Sequence, residues 1–161
     1  MSIHLEPITH QNWKQAIKLK VRPDQEHFVA SNVYSIAESQ FTFHDEEGKV
    51  WNNVPLAVYN DEEMVGFTMH NFEQTKGEKA FISRVMIDHN QQGKGYGKAA
   101  FALLLARMKA EVAPNCREIG ISYEPDNAVA RKLYAGFGFA ETGEMLGDEV
   151  VARLLLTQVG E

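Results

Sequence analysis

Asn90-Gln91-Gln92-Gly93-Lys94-Gly95-Tyr96-Gly97 joins two segments of opposite periodicity. Lys79–Asp88 before it alternates like a strand. After it, Phe101, Leu104, Leu105, Met108 and Val112 recur at i, i+3, i+4, i+7 and i+11, a helical stripe. Glycine lets the backbone turn its amides inward without Cβ clashes and lets a ligand approach closely. Those amides, with the unpaired N–H groups and positive dipole end of the helix, form a site for a phosphate-bearing ligand. Lys94 and Lys98 add positive charge. A plain turn needs two such residues, and three alternating glycines exceed that need.

Outward from the loop, Leu56-Ala57-Val58-Tyr59, the turn Asn60–Glu63 and Met64–Phe72 read as an antiparallel hairpin, with Gln74–Glu78 as a second polar turn. Toward the N-terminus, Ile3–Glu6 reads as a strand. Thr9 is placed to cap a helix over His10–Lys20, which Arg22-Pro23 ends. Val33, Ile36, Ala37 and Phe41 predict a helix over Ser31–Thr42 with an apolar stripe. Toward the C-terminus, Pro114-Asn115 ends the long helix and Arg117–Tyr123 is a strand. Asp126/Asn127 cap a helix to about Ala135, and Gly136-Phe137-Gly138-Phe139 leads to strands over Phe139–Leu146 and Glu149–Thr157. The order β-α-α-β-β-β-α-β-α-β-β predicts an α/β (α+β) fold, a mixed sheet with helices on its faces. No repeat or linker interrupts it, and residues 1–161 read as a single domain.

Sixteen Lys+Arg against 22 Asp+Glu give a net charge of −6, which disfavours a dedicated nucleic-acid binder. Asp45-Glu46-Glu47 and Asp61-Glu62-Glu63 read as solvated turns rather than a polycation site. A single cysteine, Cys116, excludes an internal disulfide and fits a reducing compartment as a packing residue. The start, Met1 to Glu6, has no basic stretch followed by an apolar run. The longest apolar run, Ala99–Ala106, is far shorter than the roughly 20 residues a membrane helix needs. A cytoplasmic protein is expected, without membrane partners. The six histidines show no metal-ligand spacing, so no metal is expected.

Which phosphate ligand the loop takes follows from its spacing. A P-loop fails, because Gln92 stands where its first glycine belongs and Ala99 follows Gly97-Lys98. Gly95-x-Gly97-x-x-Ala100 fits the loose dinucleotide form, but Asn115 stands where an acidic strand end is needed. Gln92-x-x-Gly95-x-Gly97 fits [QR]-x-x-G-x-[GA], the acyl-CoA signature of the GNAT acetyltransferases. Phe81–Asp88 resembles that family's central strand. Asp126–Tyr134 followed by Gly136-Phe137-Gly138-Phe139 resembles its second diagnostic segment, N-x-x-A-x-x-[LF]-Y-x-x-x-G-F. The element order is also the family's.

The resemblance implies the acyl-CoA N-acyltransferase fold, acetyl-CoA as co-substrate and an amine acceptor. It places the pyrophosphate on backbone amides of Gly93, Lys94, Gly95, Tyr96, Gly97 and Lys98, with Gln92 also among the cofactor-binding residues. Main-chain groups of Val85, Met86 and Ile87 would meet the pantetheine arm, with Asn127 beside it. Tyr134 would protonate the departing thiolate, and a phenol of reference pKa ~10 keeps its proton at neutral pH. A homodimer is common in such folds.

Val21–Asn32 and Ser35–Ser39 resemble the corresponding segment of bacterial spermine/spermidine (diamine) acetyltransferases, through Gln25, Phe28-Val29-Ala30, Asn32 and Glu38. Carboxylates near the cleft would hold a multiply charged amine, with Asp24, Glu26, Glu38 and Glu73 as candidates. The base departs from the pattern: some polyamine enzymes carry a carboxylate on the central strand where this chain has Ser83. Deprotonating an aliphatic ammonium of pKa ~10.4 at pH 7 costs about 4–5 kcal/mol. Glu73 and Glu124 are candidates for easing that step. Two other readings stay open: transfer to an aminoglycoside, amino acid or protein amine, and a non-catalytic acyl-CoA sensor. A sensor would not need an acid at sulfur.

Overall fold

In a computed structural model, which describes residues 1–157, the elements in chain order begin with β1 (Ile3–Pro7), α1 (Trp13–Ala16), α2 (Asn32–Glu38), β2 (Phe43–His44) and β3 (Val50–Trp51). Then come β4 (Val54–Asn60), β5 (Glu63–Phe72), β6 (Lys79–Ile87), α3 (Tyr96–Glu111), β7 (Glu118–Tyr123), α4 (Ala128–Gly136), β8 (Ala140–Leu146) and β9 (Glu149–Leu155). A 3₁₀ segment, Pro23–Phe28, lies between α1 and α2. The expected order holds, with one addition. The short ribbon β2–β3 turns through the acidic run at Asp45, whose carboxylate accepts the N–H groups of Glu47 and Lys49 and the Trp51 indole N–H.

Seven strands form one sheet in the order β1-β4-β5-β6-β7-β9-β8. Every neighbouring pair is antiparallel except β6 and β7. Side-chain alternation sorts the two faces. Leu56, Ile82, Ile119 and Ile121 meet Phe101, Leu104 and Met108 of α3 and Ala130 and Tyr134 of α4. Ala57, Phe67, Met69 and Met86 turn the other way, toward Ala16, Leu19 and Ile36. Both faces of β5 are therefore covered, and its residues from Met64 to Asn71 are all buried.

Two N-terminal expectations are corrected. The helix expected over His10–Lys20 is only one turn, Trp13–Ala16. Thr9 does start it, its hydroxyl taking the Gln11 N–H and its carbonyl the Trp13 N–H. The chain is then drawn away: Lys20 donates its N–H to the Asp88 carboxylate at 2.9 Å, and its carbonyl accepts the His89 N–H at 2.7 Å. Ser31 does start α2, accepting the Tyr34 N–H, but the expected apolar stripe is not the buried face. Val33, Tyr34 and Phe41 are 56, 60 and 71% exposed, whereas Asn32 and Ser35 are buried. The inner face is polar because it has polar work there: Asn32 donates to the Ala16 carbonyl at 2.9 Å, and Ser35 receives the Arg84 Nε–H at 3.1 Å.

Candidate active site

β6 and β7 pair from Lys79/Glu118 to Ile82/Ile121 and then part. The cause is on the other side of β6, where Met69 pairs with Arg84 and His70 with Ile82, leaving Ser83 as an extra residue. Such a bulge bends its strand and increases its twist. The Ser83 hydroxyl donates to the Met69 carbonyl at 3.2 Å. Val85, Met86 and Ile87 remain bonded to β5, and their opposite edge has no strand partner among the described residues. A cavity of about 490 Å³ fills this parting.

The glycine loop closes one end of the cavity. Gly93 and Gly95 have φ of 78° and 84°, left-handed conformations that disfavour side chains. A Cβ at either would meet nothing within 4 Å and would stand in open space beside the loop. Ala99 is the first N–H of α3 to find an acceptor in the turn behind it, the Gly95 carbonyl at 3.3 Å. The N–H groups of Tyr96, Gly97 and Lys98 have no acceptor among the described residues, the arrangement by which a helix start suits an anion. Gln92 fixes the loop: its side-chain amide donates to the Ile87 carbonyl at 3.0 Å and to Gln25 Oε1 at 2.8 Å.

The expected cofactor residues converge here, with two distinctions. Val85, Met86, Ile87, Gln92, Gly93, Gly95, Tyr96, Gly97 and Asn127 line the cavity, and Lys94 and Lys98 do not. Lys94 donates to Gln91 at 3.0 Å. The Tyr96 hydroxyl accepts from Asn60 at 3.1 Å and anchors the hairpin, so Tyr96 offers the loop its backbone rather than its phenol. Asn127 caps α4, its side-chain oxygen accepting the Ala130 N–H.

Tyr134 also lines the cavity, on the buried face of α4 against Phe101, Tyr123 and Phe139, with ring centroids at 4.8, 5.6 and 6.3 Å. Its hydroxyl makes no hydrogen bond to another described residue. Burial raises its pKa strongly, and Tyr123 and Glu149 push the same way, so the phenol keeps its proton throughout the neutral range.

The acidic candidates divide. Asp24 lines the cavity at its mouth, ion-paired to Arg22 at 3.3 Å. Glu26 is exposed and Glu38 lies behind the wall, held by Arg84 at 3.6 Å; neither lines the cavity. Glu73 lies past the opposite end of β6's pairing with β5, only 3% exposed, and its carboxylate accepts the N–H groups of Lys76, Gly77 and Glu78. Burial alone would raise its pKa, but those donors and Lys49 outweigh it and hold the carboxyl below its usual range. Glu124 also stands outside the cavity lining.

Sequence reasoning passed over Arg84, Ser122, Asp126 and Glu149, all of which line the cavity. Arg84 did leave a signal, a cation in the interior of a largely apolar strand. The 3₁₀ segment bridges the cavity's two sides, through Gln25 to Gln92 and through His27 to Asp126 at 3.1 Å. No group of three potential metal ligands occurs among the described residues, and no helix among them is long and apolar enough to cross a membrane. Burial raises the Cys116 pKa, which keeps its thiol protonated.

Over 96% of its length the chain is 27% identical to the whole of the spermine/spermidine N(1)-acetyltransferase of Bacillus subtilis strain 168. Its fold is similar to that of an aminoglycoside acetyltransferase in complex with coenzyme A, with a TM-score of 0.72 and 15% identity over 96% of this chain and 95% of that one. It is also similar to the spermidine N-acetyltransferase of Vibrio cholerae in complex with CoA and spermine, with a TM-score of 0.69 and 15% identity over 97% and 95% of the two chains. The acetyltransferase (GNAT) family profile matches residues 12–139, and the chain belongs to that family of acetyl-CoA-dependent N-acetyltransferases.

Proposed function

We propose that this acetyltransferase acts on a polyamine such as spermidine or spermine, with Tyr134 as general acid. The likeness along 96% of the chain to a spermine/spermidine acetyltransferase carries the acceptor assignment. The charges around the cavity support it. Of its two guanidiniums, Arg22 is paired with Asp24 and Arg84 with Glu38, while Asp126 and Glu149 add further carboxylates. One amine of the acceptor enters the parting of β6 and β7, and a second ammonium stays at the mouth beside Asp24 and Asp126.

Acetyl-CoA supplies the acetyl thioester. The amides of Gly93 to Lys98 and the N-terminal dipole of α3 bind the pyrophosphate, and the free edge of Val85–Ile87 aligns the pantetheine arm as an added strand would lie. Main-chain N–H groups on that edge stabilise negative charge developing on the carbonyl oxygen. Tyr134 gives its proton to sulfur as the C–S bond breaks. Because burial raises its pKa, Tyr134 is still protonated at pH values where an exposed phenol begins to ionise. The need for acetyl-CoA favours a cytoplasmic setting.

An acceptor panel tests the assignment, following thiol release with spermidine, spermine and monoamines of matched reactivity. The polyamines are expected to give kcat/KM about tenfold higher, the worth of one added charge-assisted contact. Added salt narrows the gap, since charges at the mouth are screened. Equal kcat/KM for monoamines and polyamines would contradict the polyamine assignment.

A further inference from the structure

Glu149 lies outside the segments whose patterns pointed to the site. It opens β9 just after the Gly147-Asp148 turn. Its neighbour Val150 pairs with Tyr123, so Glu149 sits at the C-terminal end of β7, where β6 departs. It lines the same cavity as Ser83, Arg84, Ser122 and Tyr134. Ser122 Oγ donates to Glu149 Oε1 at 3.2 Å. The charged and titratable groups that face it are Arg84 from β6, Glu124 from the end of β7 and Tyr134 from α4.

We propose that Glu149 is the base that takes the proton from the acceptor ammonium. The proposal rests on the reading that the thioester lies in the parting of β6 and β7. The other carboxylates are unsuited to the task. Asp24 and Asp126 are exposed at the mouth, Glu38 is neutralised by Arg84, and Glu73 is saturated by backbone donors. Glu149 alone among the described carboxylates lining the cavity is partly buried.

Burial raises its pKa. Ser122 opposes that rise, Glu124 adds to it, and Arg84 opposes it, with an upward balance. A carboxylate so shifted is a stronger base than an ordinary glutamate.

The protons balance. The acceptor arrives as an ammonium, and Glu149 takes one proton and releases it to solvent. The freed lone pair forms the N–C bond while the C–S bond breaks with its electrons on sulfur. Sulfur takes the Tyr134 proton, and the second proton leaving nitrogen restores Tyr134 through solvent. The products are an amide, a free thiol and one released proton.

Glu149→Gln keeps the shape and can still accept from Ser122. We expect kcat to fall about 10²-fold or more, and the acid limb of its pH profile to disappear. Acetyl-CoA affinity by calorimetry should stay within about twofold, since Glu149 acts on the amine and not on CoA binding. A carboxyl-carbon NMR titration of the free protein should place Glu149 above ordinary glutamates. A kcat within threefold of wild type with an unchanged pH profile would overturn the proposal. So would a rise in KM alone, which would make Glu149 a holder of the ammonium. Should Glu149→Gln not fold, Ser122→Ala removes the donor that lowers the Glu149 pKa, so the acid limb should move to higher pH; an unmoved limb overturns the proposal. Failure of the underlying thioester placement shows separately, as acetyl-CoA binding indifferent to Gly95→Val.

Discussion

The stretch from β6 through α4 and the stretch from Val21 to Glu38 border one cavity, and they present their chemistry to it differently. The first presents mainly backbone: a bulge at Ser83, a free strand edge at Val85–Ile87 and the amides of the glycine loop. The second works through side chains that reach distant partners, Gln25 to Gln92, His27 to Asp126, and Ser35 and Glu38 to Arg84. Backbone chemistry needs only local sequence. A positive φ calls for glycine wherever it falls, and a helix start exposes N–H groups whatever packs around it. Side-chain chemistry depends on what lies across the fold, and the same Glu serves as ligand, ion-pair partner or cap accordingly.

Tyr134 is the exception in the backbone-led region, and removing its hydroxyl should give the largest effect. Tyr134→Phe leaves the contacts with Phe101 and Phe139 in place, so stability and acetyl-CoA affinity should hardly change. If the phenol protonates sulfur, pre-steady-state acetyl transfer should slow by roughly 10²–10⁴, toward the lower end because a thiolate leaves readily. A rate within threefold of wild type would return Tyr134 to a packing role and make the region wholly backbone-driven.

Glu73 sharpens the comparison at the small end. As a residue whose carboxylate accepts three backbone N–H groups, it should contribute to stability and not to acceptor binding. Its pKa is depressed in the folded state, so this stabilisation is complete above the ordinary glutamate range and is lost as pH falls through the lower folded value. Glu73→Gln should lower Tm by about 2–8 °C at neutral pH. The melting difference from wild type should shrink in acid, with the amine KM unchanged. A changed KM with an unchanged Tm would restore Glu73 to the acceptor site.

This division also governs what could be read in advance. The hairpin β4–β5, the strand–loop–helix from Lys79 to Glu111 and the Asn127-capped α4 are locally encoded, and all lie where periodicity and caps put them. The one-turn α1 was not legible, because Asp88 and His89, which hold Lys20 and take the chain off the helical path, lie far along the sequence. The face of α2 was misjudged because Val33, Tyr34 and Phe41 are exposed, while Asn32 and Ser35 face inward beside Ile36 to meet Ala16 and Arg84. Glu38 was found but not its partner, and Glu149 was missed. It follows an ordinary Gly-Asp turn, and only the insertion of β9 between β7 and β8 brings it to the cavity.

The central claim is that the glycine loop and the parting of β6 and β7 form one acetyl-CoA site. Gly95→Val tests it directly, because φ of 84° is strained for a branched residue and Gly95 lines the cavity at the loop. Titration calorimetry with acetyl-CoA should show affinity weakened by about 10²-fold or more, as expected for the loss of two charge-assisted N–H contacts, in a protein that still melts cooperatively. A folded Gly95→Val protein that binds acetyl-CoA as tightly as wild type would contradict the account.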